Sequence, residues 1–412
     1  MAHSRKNVMV IGGGIAGLAT ALTLSDLGIR VDLVEKSDFL GGHAIRFACK
    51  ATDQCVKCGA CMVEEKLGQA VADPSIRLLT GCRIENIERN GRFRADLTRR
   101  PAYIDAEKCT ACGICYRECP ESAVRRGYSA STQPFYAIDA ERCLQFRDGS
   151  CQKCREACPE QAISLSGEPQ KLTCEADAVV VATGFDAFRP VSKPYGYGRF
   201  KNVVTSLEME DILRENGAPV RPTDGQAVRK MAFIQCVGSR DASLGHLWCS
   251  RICCGTSLRM ARMLKHRDPE LEITFFYIDI QTFGRDFENV YRSIREEMRL
   301  VRAIPGDIYE NEAGGLKVVH QDAASGESIK EDFDRVVLSV GLTPAEGTQQ
   351  VAGLLQLRTA DWENPFGEAA VPEGVFLAGT VAGPMGIADS VADAGRAALE
   401  VCGYLDTESD GK

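Results

Sequence analysis

Cysteine carries most of the recognisable chemistry in this sequence. Of 412 residues 19 are cysteine, and all but Cys82, Cys174 and Cys402 fall into four groups of four. Cys109, Cys112, Cys115 and Cys119 are spaced C-x2-C-x2-C-x3-C, with Pro120 after the last. Thiolates in that run ligate a [4Fe–4S] cubane. A second run, Cys143, Cys151, Cys154 and Cys158 followed by Pro159, keeps the C-x2-C-x3-C-P ending but widens its first gap to the seven residues LQFRDGS. Where two such runs adjoin, the fourth cysteine of each crosses to the other cluster. The expected sets are therefore Cys109, Cys112, Cys115 and Cys158 for one cubane, and Cys143, Cys151, Cys154 and Cys119 for the other. Zinc also binds C-x2-C pairs, but it has no need of the proline-ended run twice.

Two further groups depart from this pattern. Cys236, Cys249, Cys253 and Cys254 are spaced C-x12-C-x3-C-C. They read either as small buried residues near a helix start or as a third [4Fe–4S] site, whose thiolates the helix N-terminus would stabilise. Cys55, Cys58 and Cys61 repeat C-x2-C-x2-C, and Cys49 is the available fourth ligand. This group reads either as a further cluster or as redox-active thiols of a C-x2-C pair. Cys82, Cys174 and Cys402 read as ordinary buried or surface residues. Spacings this tight point to reduced thiolates holding clusters, as in a cytosolic protein, and not to disulfides.

The elements that must position these groups begin at the N-terminus. NVMVIGGGIAGLATALTLSDLGIRVDLVEKS runs from Asn7 to Ser37. An apolar strand at Val8–Ile11 leads into Gly12, Gly14 and Gly17, spaced G-x-G-x-x-G. A helix is predicted from Ile15 to Leu27, ended by Gly28, and a second strand from Arg30 to Val34 leads to Glu35. The glycines let the backbone approach a pyrophosphate at the helix N-terminus, and Glu35 accepts the ribose hydroxyls.

A second unit of this kind is predicted from Arg229 to Leu342: the strand KMAFIQCV, the helix ICCGTSLRMARMLKH and the strand LEITFFYIDI. Its turn, QCVGSRD, has one glycine where three are needed, so NAD(P)H is not expected to bind there in the usual way. A net charge of −8 without long charged runs argues against nucleic-acid binding. No stretch reaches the roughly 20 apolar residues of a membrane helix, and the start of the chain reads as a strand and not as a signal peptide.

Three segments resemble those of two-dinucleotide-domain flavoproteins and favour FAD. EKSDFLGGHA (Glu35–Ala44) includes Lys36, Gly42 and His43; ADAVVVATGFDAF (Ala176–Phe188) includes Ala182, Thr183 and Gly184; EGVFLAGTVAGPMGIADSVADAGRAALEV (Glu373–Val401) includes Gly379, Ile387 and Ala388, with a helix expected from near Met385. The family usually has Asp where this chain has Thr380. The implied fold is α/β: a thioredoxin-reductase-like flavoprotein with an inserted two-cluster ferredoxin domain. The expected parts are residues 1–99, 171–228 and 345–412 for the FAD domain, 100–170 for the ferredoxin, and 229–344 for the second Rossmann-like domain. SAV after Cys119 and AISL after Cys158 are expected as the ferredoxin's short strands.

The FAD start, the ferredoxin insert, CVGSRD…WCSRICC and the stretch FYIDIQTFGRDFENVYRSIREE (Phe276–Glu297) together resemble the A-subunits of heterodisulfide reductases. The trimmed length resembles the A-subunits of quinone-interacting membrane-bound oxidoreductases of sulfate reducers. That resemblance implies FAD, [4Fe–4S] clusters, adenylylsulfate reductase as acceptor, and two kinds of partner: a second flavin or iron–sulfur subunit, and a haem-bearing membrane subunit. It implies a place at the cytoplasmic face of the membrane, reached through a partner. Electron transfer centred on the flavin is expected, with no catalytic side chain. His3, His246, His266 and His320 read as structural or surface residues, while His43 and Lys36 lie near the expected flavin. The rival readings are the flavin subunit of a soluble heterodisulfide-reductase-like complex, and an NAD(P)H-dependent disulfide or glutamate-synthase-type reductase.

Overall fold

A computed structural model describes residues 6–129, 135–281, 283, 287–359 and 369–410. His3 lies outside the described residues, as do Thr282, Gly284, Arg285 and Asp286 of the Phe276–Glu297 stretch. Strand Asn7–Ile11, helix Ile15–Asp26 and strand Arg30–Val34 follow one another as the periodicity predicts. Val8, Met9 and Val10 are all buried. The run is continuously apolar because a parallel sheet is covered on both faces. Five parallel strands make this first sheet, in the order Val375–Leu377, Ala178–Val181, Asn7–Ile11, Arg30–Val34, Ile76–Leu79. Helix Ile15–Asp26 is sandwiched between the sheet and the last helix, Ile387–Asp410, through Leu18, Ala21, Ala397, Ala398 and Val401.

The same plan is built a second time. Val203–Thr205, Arg335–Val340, Lys230–Val237, Glu272–Phe276 and Arg299–Val301 form another parallel five-stranded sheet. Helix Cys253–Arg267 packs on it through Leu258, Met260, Ala261 and Leu264. Each unit also carries a three-stranded antiparallel sheet. One is Cys82–Asn90, Arg92–Arg99 and Gln170–Ala176; the other is Asp307–Glu310, Leu316–Gln321 and Ser328–Phe333.

The cysteine-rich lobe leaves the first unit after Arg99 and returns at Gln170, residues paired across neighbouring strands. Inside it Val124–Arg126 pairs with Tyr136–Ile138. The strand expected at Ser122–Val124 is thus shifted toward the C-terminus. The one expected at Ala162–Leu165 is reduced to a single bridge, Ile104 to Ile163. A lobe whose small core counts Cys143 and Cys154 among its buried side chains supports only short pairing.

A second correction concerns the boundary placed at 228/229. Val203–Thr205 pairs with Arg335–Val340 in the second sheet. Helix Ser206–Asn216 buries Met209 and Leu213 in the second core. The strand is three residues long, too short to show a period, and the capping box of Thr205 and Glu208 marks only the start of the helix that follows it. Among the described residues, no helix is long and apolar enough to cross a membrane.

Candidate cofactor and cluster sites

The first glycine turn is shaped by contact. Gly12 has φ +113°, and a Cβ there would lie 2.3 Å from the Ala182 carbonyl oxygen. A Cβ at Gly17 would fall 1.8 Å from the Gly12 carbonyl oxygen, so the helix can seat on the turn only with glycine. Gly14 caps the helix, and its nearest neighbour, Gly42, would be 4.0 Å from a Cβ. The first helical N–H groups therefore open into space, as a phosphate site requires. Glu35 accepts from the Gly13 N–H and the Ser37 N–H, both at 2.7 Å, and so holds the turn against the second strand's end.

A cavity of about 1610 Å³ opens from this turn. Gly12, Gly14, Glu35, Lys36, Gly42, His43, Ala182, Thr183, Gly184, Ile387 and Ala388 line it. Gly17 and Gly379 do not. Gly379 has φ +75°, and a Cβ there would meet the Ala16 Cβ at 2.4 Å; its N–H donates to Asp393 at 2.7 Å, and Thr380 takes the lining position. His43 stacks on Phe185, and its Nε2 lies 2.9 Å from the Phe185 carbonyl oxygen. Burial lowers its pKa, against the Phe185 hydrogen bond and with help from Arg46 and Lys36. The open helix end, the absence of side chains at the turn and the acid at the second strand's end fit a dinucleotide.

The cavity is also lined by residues the sequence did not single out, together with one that it did, Cys58. Arg251, Gly255 and Arg259 of the second unit line it, as do Lys50, Lys57 and Cys58 of the first and Arg125, Tyr128 and Glu141 of the inserted lobe. Arg259 donates to the Val56 carbonyl oxygen at 3.3 Å. Lys50 is buried with Glu210, Nζ to Oε1 2.6 Å, and Glu210 also accepts from the Ala48 N–H at 3.0 Å. Glu210 is held above the usual carboxylate pKa by burial, against the pull of Lys50. No spacing rule links residue 50 to residue 210, so only the tertiary fold pairs them.

In the lobe, Cys109, Cys112, Cys115 and Cys158 line one small cavity with Ile104, Ala162 and Ile163. Cys154 instead feels the charges of Cys143, Cys119 and Cys151; burial is the main cause pushing it up to about 11. Burial also pushes Cys115 to about 11, with Cys109 next. The two cysteines expected to cross are held alike: Cys119 Sγ accepts from the Ala123 N–H at 3.2 Å and Cys158 Sγ from the Ala162 N–H at 3.4 Å. Among the described residues, no three His, Cys, Asp or Glu side chains converge on a point close enough for a single metal ion.

The third group gathers at the end of the second unit's central strand. The ladder with Arg335–Val340 slips between Ile234 and Val237, and Cys236 takes φ +59° there. Burial pushes Cys236 up to about 12, with Cys254 and Cys249 adding to it. Cys253 and Cys254 begin helix Cys253–Arg267, and the hydrogen bond between their thiols lowers the pKa of Cys254 and raises that of Cys253. Cys249 Sγ accepts from the Arg251 N–H at 3.3 Å. The glycine that remains in this turn, Gly238, has φ +81°, but the Phe188 ring lies 2.1 Å from where its Cβ would be. His246 Nδ1 lies 2.8 Å from the Gly238 carbonyl oxygen. Of the fourth group, Cys58 reaches the large cavity, while Cys49, Cys55 and Cys61 are exposed. Cys82 and Cys174 are buried in the first unit's core.

Two parallel units, the second inserted in the chain of the first and the first bearing an open glycine cradle, define the two-dinucleotide-domain fold of thioredoxin reductases. The thioredoxin reductase of T. acidophilum superposes with a TM-score of 0.54 at 15% identity, covering 98% of this chain and 99% of that one. That of Lactococcus lactis gives 0.53 at 14% identity, with 98% and 100% covered. Residues 10–62 match an NAD(P)-binding Rossmann-like domain, and residues 102–125 match a 4Fe-4S binding domain. The A-subunit of the H(2):CoB-CoM heterodisulfide,ferredoxin reductase of Methanothermobacter thermautotrophicus is 34% identical over 95% of this chain and 62% of its own length. The iron-sulfur A-subunit of the CoB--CoM heterodisulfide reductase of Methanocaldococcus jannaschii is 33% identical over 96% and 64%. The chain is thus similar over nearly its whole length to heterodisulfide reductase A-subunits, and it spans less than two thirds of the curated relatives it matches.

Proposed function

We propose that this chain is an FAD- and [4Fe–4S]-bearing electron-transfer subunit of a multisubunit oxidoreductase. One observation carries the reading. The dinucleotide cavity is walled by all three cysteine-bearing regions: Cys58 itself, Arg125 and Glu141 of the lobe, and Ile252 and Gly255 beside Cys253 and Cys254. FAD accepts electrons in pairs and releases them singly, and clusters carry one each.

The residues of the chain divide the work. Gly12 and Gly14 admit the pyrophosphate with Gly17 beneath them, and Glu35 faces the ribose. Lys36, Gly42, His43 and Ala182–Gly184 form the walls. Thr380, Ile387 and Ala388 close the far side, with Gly379 seating that turn on the first helix. Cys109, Cys112, Cys115 and Cys158 hold one cluster; Cys143, Cys151, Cys154 and Cys119 hold the second; Cys236, Cys249, Cys253 and Cys254 hold the third. Cys49, Cys55, Cys58 and Cys61 hold a fourth cluster or act as redox-active thiols.

Phe188 and His246 fill the turn where the second unit would hold a nicotinamide dinucleotide, which supports donors other than NAD(P)H. At the finer level the chain serves a complex like the quinone-interacting oxidoreductases of sulfate reducers. It links menaquinone to adenylylsulfate reductase through a haem-bearing membrane subunit, at the cytoplasmic face, with splitting or merging of electrons at the flavin. The names of the relatives favour a second reading, the flavin subunit of a soluble heterodisulfide-reductase-like complex.

Flavin, iron and sulfide content of the anaerobically purified chain, with EPR after reduction, tests the first statement. About one FAD and three or four clusters are expected. A chain that holds no flavin, or that binds NADPH tightly in a calorimeter, contradicts it. Purification with native partners separates the two finer readings: a haem-bearing membrane subunit supports the first, and soluble heterodisulfide reductase partners support the second.

A further inference from the structure

Helix Ser206–Asn216 belongs to the second unit by its buried face, yet its other face is spent on the rest of the molecule. Arg214 donates to three backbone carbonyls: Ile45 at 2.9 Å, Phe47 at 3.3 Å and Tyr128 at 2.7 Å. Its guanidinium also lies over the Tyr128 ring, 5.5 Å from the centroid. Asp211, three residues earlier and so on the same face, accepts from Arg46 Nε at 3.0 Å and from the Tyr128 hydroxyl at 3.0 Å. Glu210 holds Lys50 and the Ala48 N–H. At the helix end, Arg126 reaches Glu215 at 2.7 Å.

Ile45, Arg46, Phe47, Lys50 and Tyr128 all line the large cavity. One helix of the second unit therefore grips both the cavity wall and the inserted lobe. Arg214 is itself exposed, but its planar guanidinium is shared among three backbone carbonyls, where a surface ion pair has a single contact between two mobile side chains. We infer that helix Ser206–Asn216, through Arg214 and Asp211, is the joint that sets the separation between the cofactor cavity and the cluster-bearing lobe. Both are positioning residues. The consequence for electron transfer rests on the proposed function, because tunnelling between carriers falls steeply with their separation.

The test uses the anaerobically purified full chain as wild type, Arg214→Met and the milder, nearly isosteric Asp211→Asn, two positions that do not line the cavity; the second keeps the joint testable if the first variant does not fold. Hydrogen exchange by mass spectrometry reads the joint at residues 45–47 and 126–129. The rate at which the lobe's EPR signals appear after photoreduction of the flavin reads its consequence. The expected result is faster exchange in both segments and slower arrival of electrons, by about tenfold for Arg214→Met, with flavin and iron contents unchanged. A merely structural role would lower stability without slowing transfer in cofactor-replete protein. Unchanged exchange, or unchanged transfer with faster exchange, overturns the inference. A wild-type chain without flavin overturns the proposed function instead, and the exchange result then decides the joint alone.

Discussion

At Gly17 a single hydrogen atom stands where any larger group would strike the Gly12 carbonyl. Gly17→Ala forces the helix off the turn, a backbone clash that no rotamer can relieve. We expect loss of most bound flavin, read from absorbance after gel filtration, and about 1–3 kcal/mol lower stability. The cysteines allow a sharper test. If Cys119 serves the cluster of Cys143, Cys151 and Cys154, then Cys119→Ser with Cys151→Ser removes no more iron than either change alone. Cys119→Ser with Cys112→Ser, although both lie in one run, removes about two clusters' worth. Iron assays on the single and double variants give the answer; equal losses in the two doubles would refute the crossing.

Elements are held to one another by buried charge as well as by apolar contact. Lys50 and Glu210 join the cavity wall to helix Ser206–Asn216, with side chains only 3% and 0% exposed. Replacing both by apolar residues of similar size would cost little, but removing one strands the other in the interior. Glu210→Ala is therefore expected to lower unfolding stability by about 3–5 kcal/mol. The double variant Glu210→Leu, Lys50→Met should recover much of it, as followed by urea unfolding.

For the whole molecule, one acid-sensitive link lies in the second unit. Glu331 joins strand Ser328–Phe333 to Arg299 and to the buried His320, with Arg299 Nη2 to Oε1 2.8 Å and His320 Nε2 to Oε1 2.8 Å. Hydrogen bonds from Arg299, then His320, depress its pKa to about 2. A depressed carboxylate contributes stability that is complete above its unfolded value, near 4.5, and is lost as pH falls toward 2. Melting temperature should fall through that window in wild type and fall less in Glu331→Gln. Parallel profiles would show that other groups dominate acid unfolding.

The cradle glycines, Glu35 and the two ferredoxin-type runs were legible in the sequence because their signals are local: a turn that admits no side chain, or thiols separated by two and three residues before a proline. The strand–helix–strand opening of the first unit and the family resemblance followed from the same short signals. The edge strand Val203–Thr205 was not legible, being too short to carry a period. Nor were the cationic wall of Lys50, Arg251 and Arg259 and the joint at Arg214. Arg259 lies 203 positions from the Val56 carbonyl it meets and Arg214 lies 169 from that of Ile45, and single charged side chains, on a helix or in a loop, carry no mark of their partners. Local stereochemistry thus determined what each segment can bind. Only the folding of two parallel units around an inserted lobe decided which of those segments face one another across the cavity.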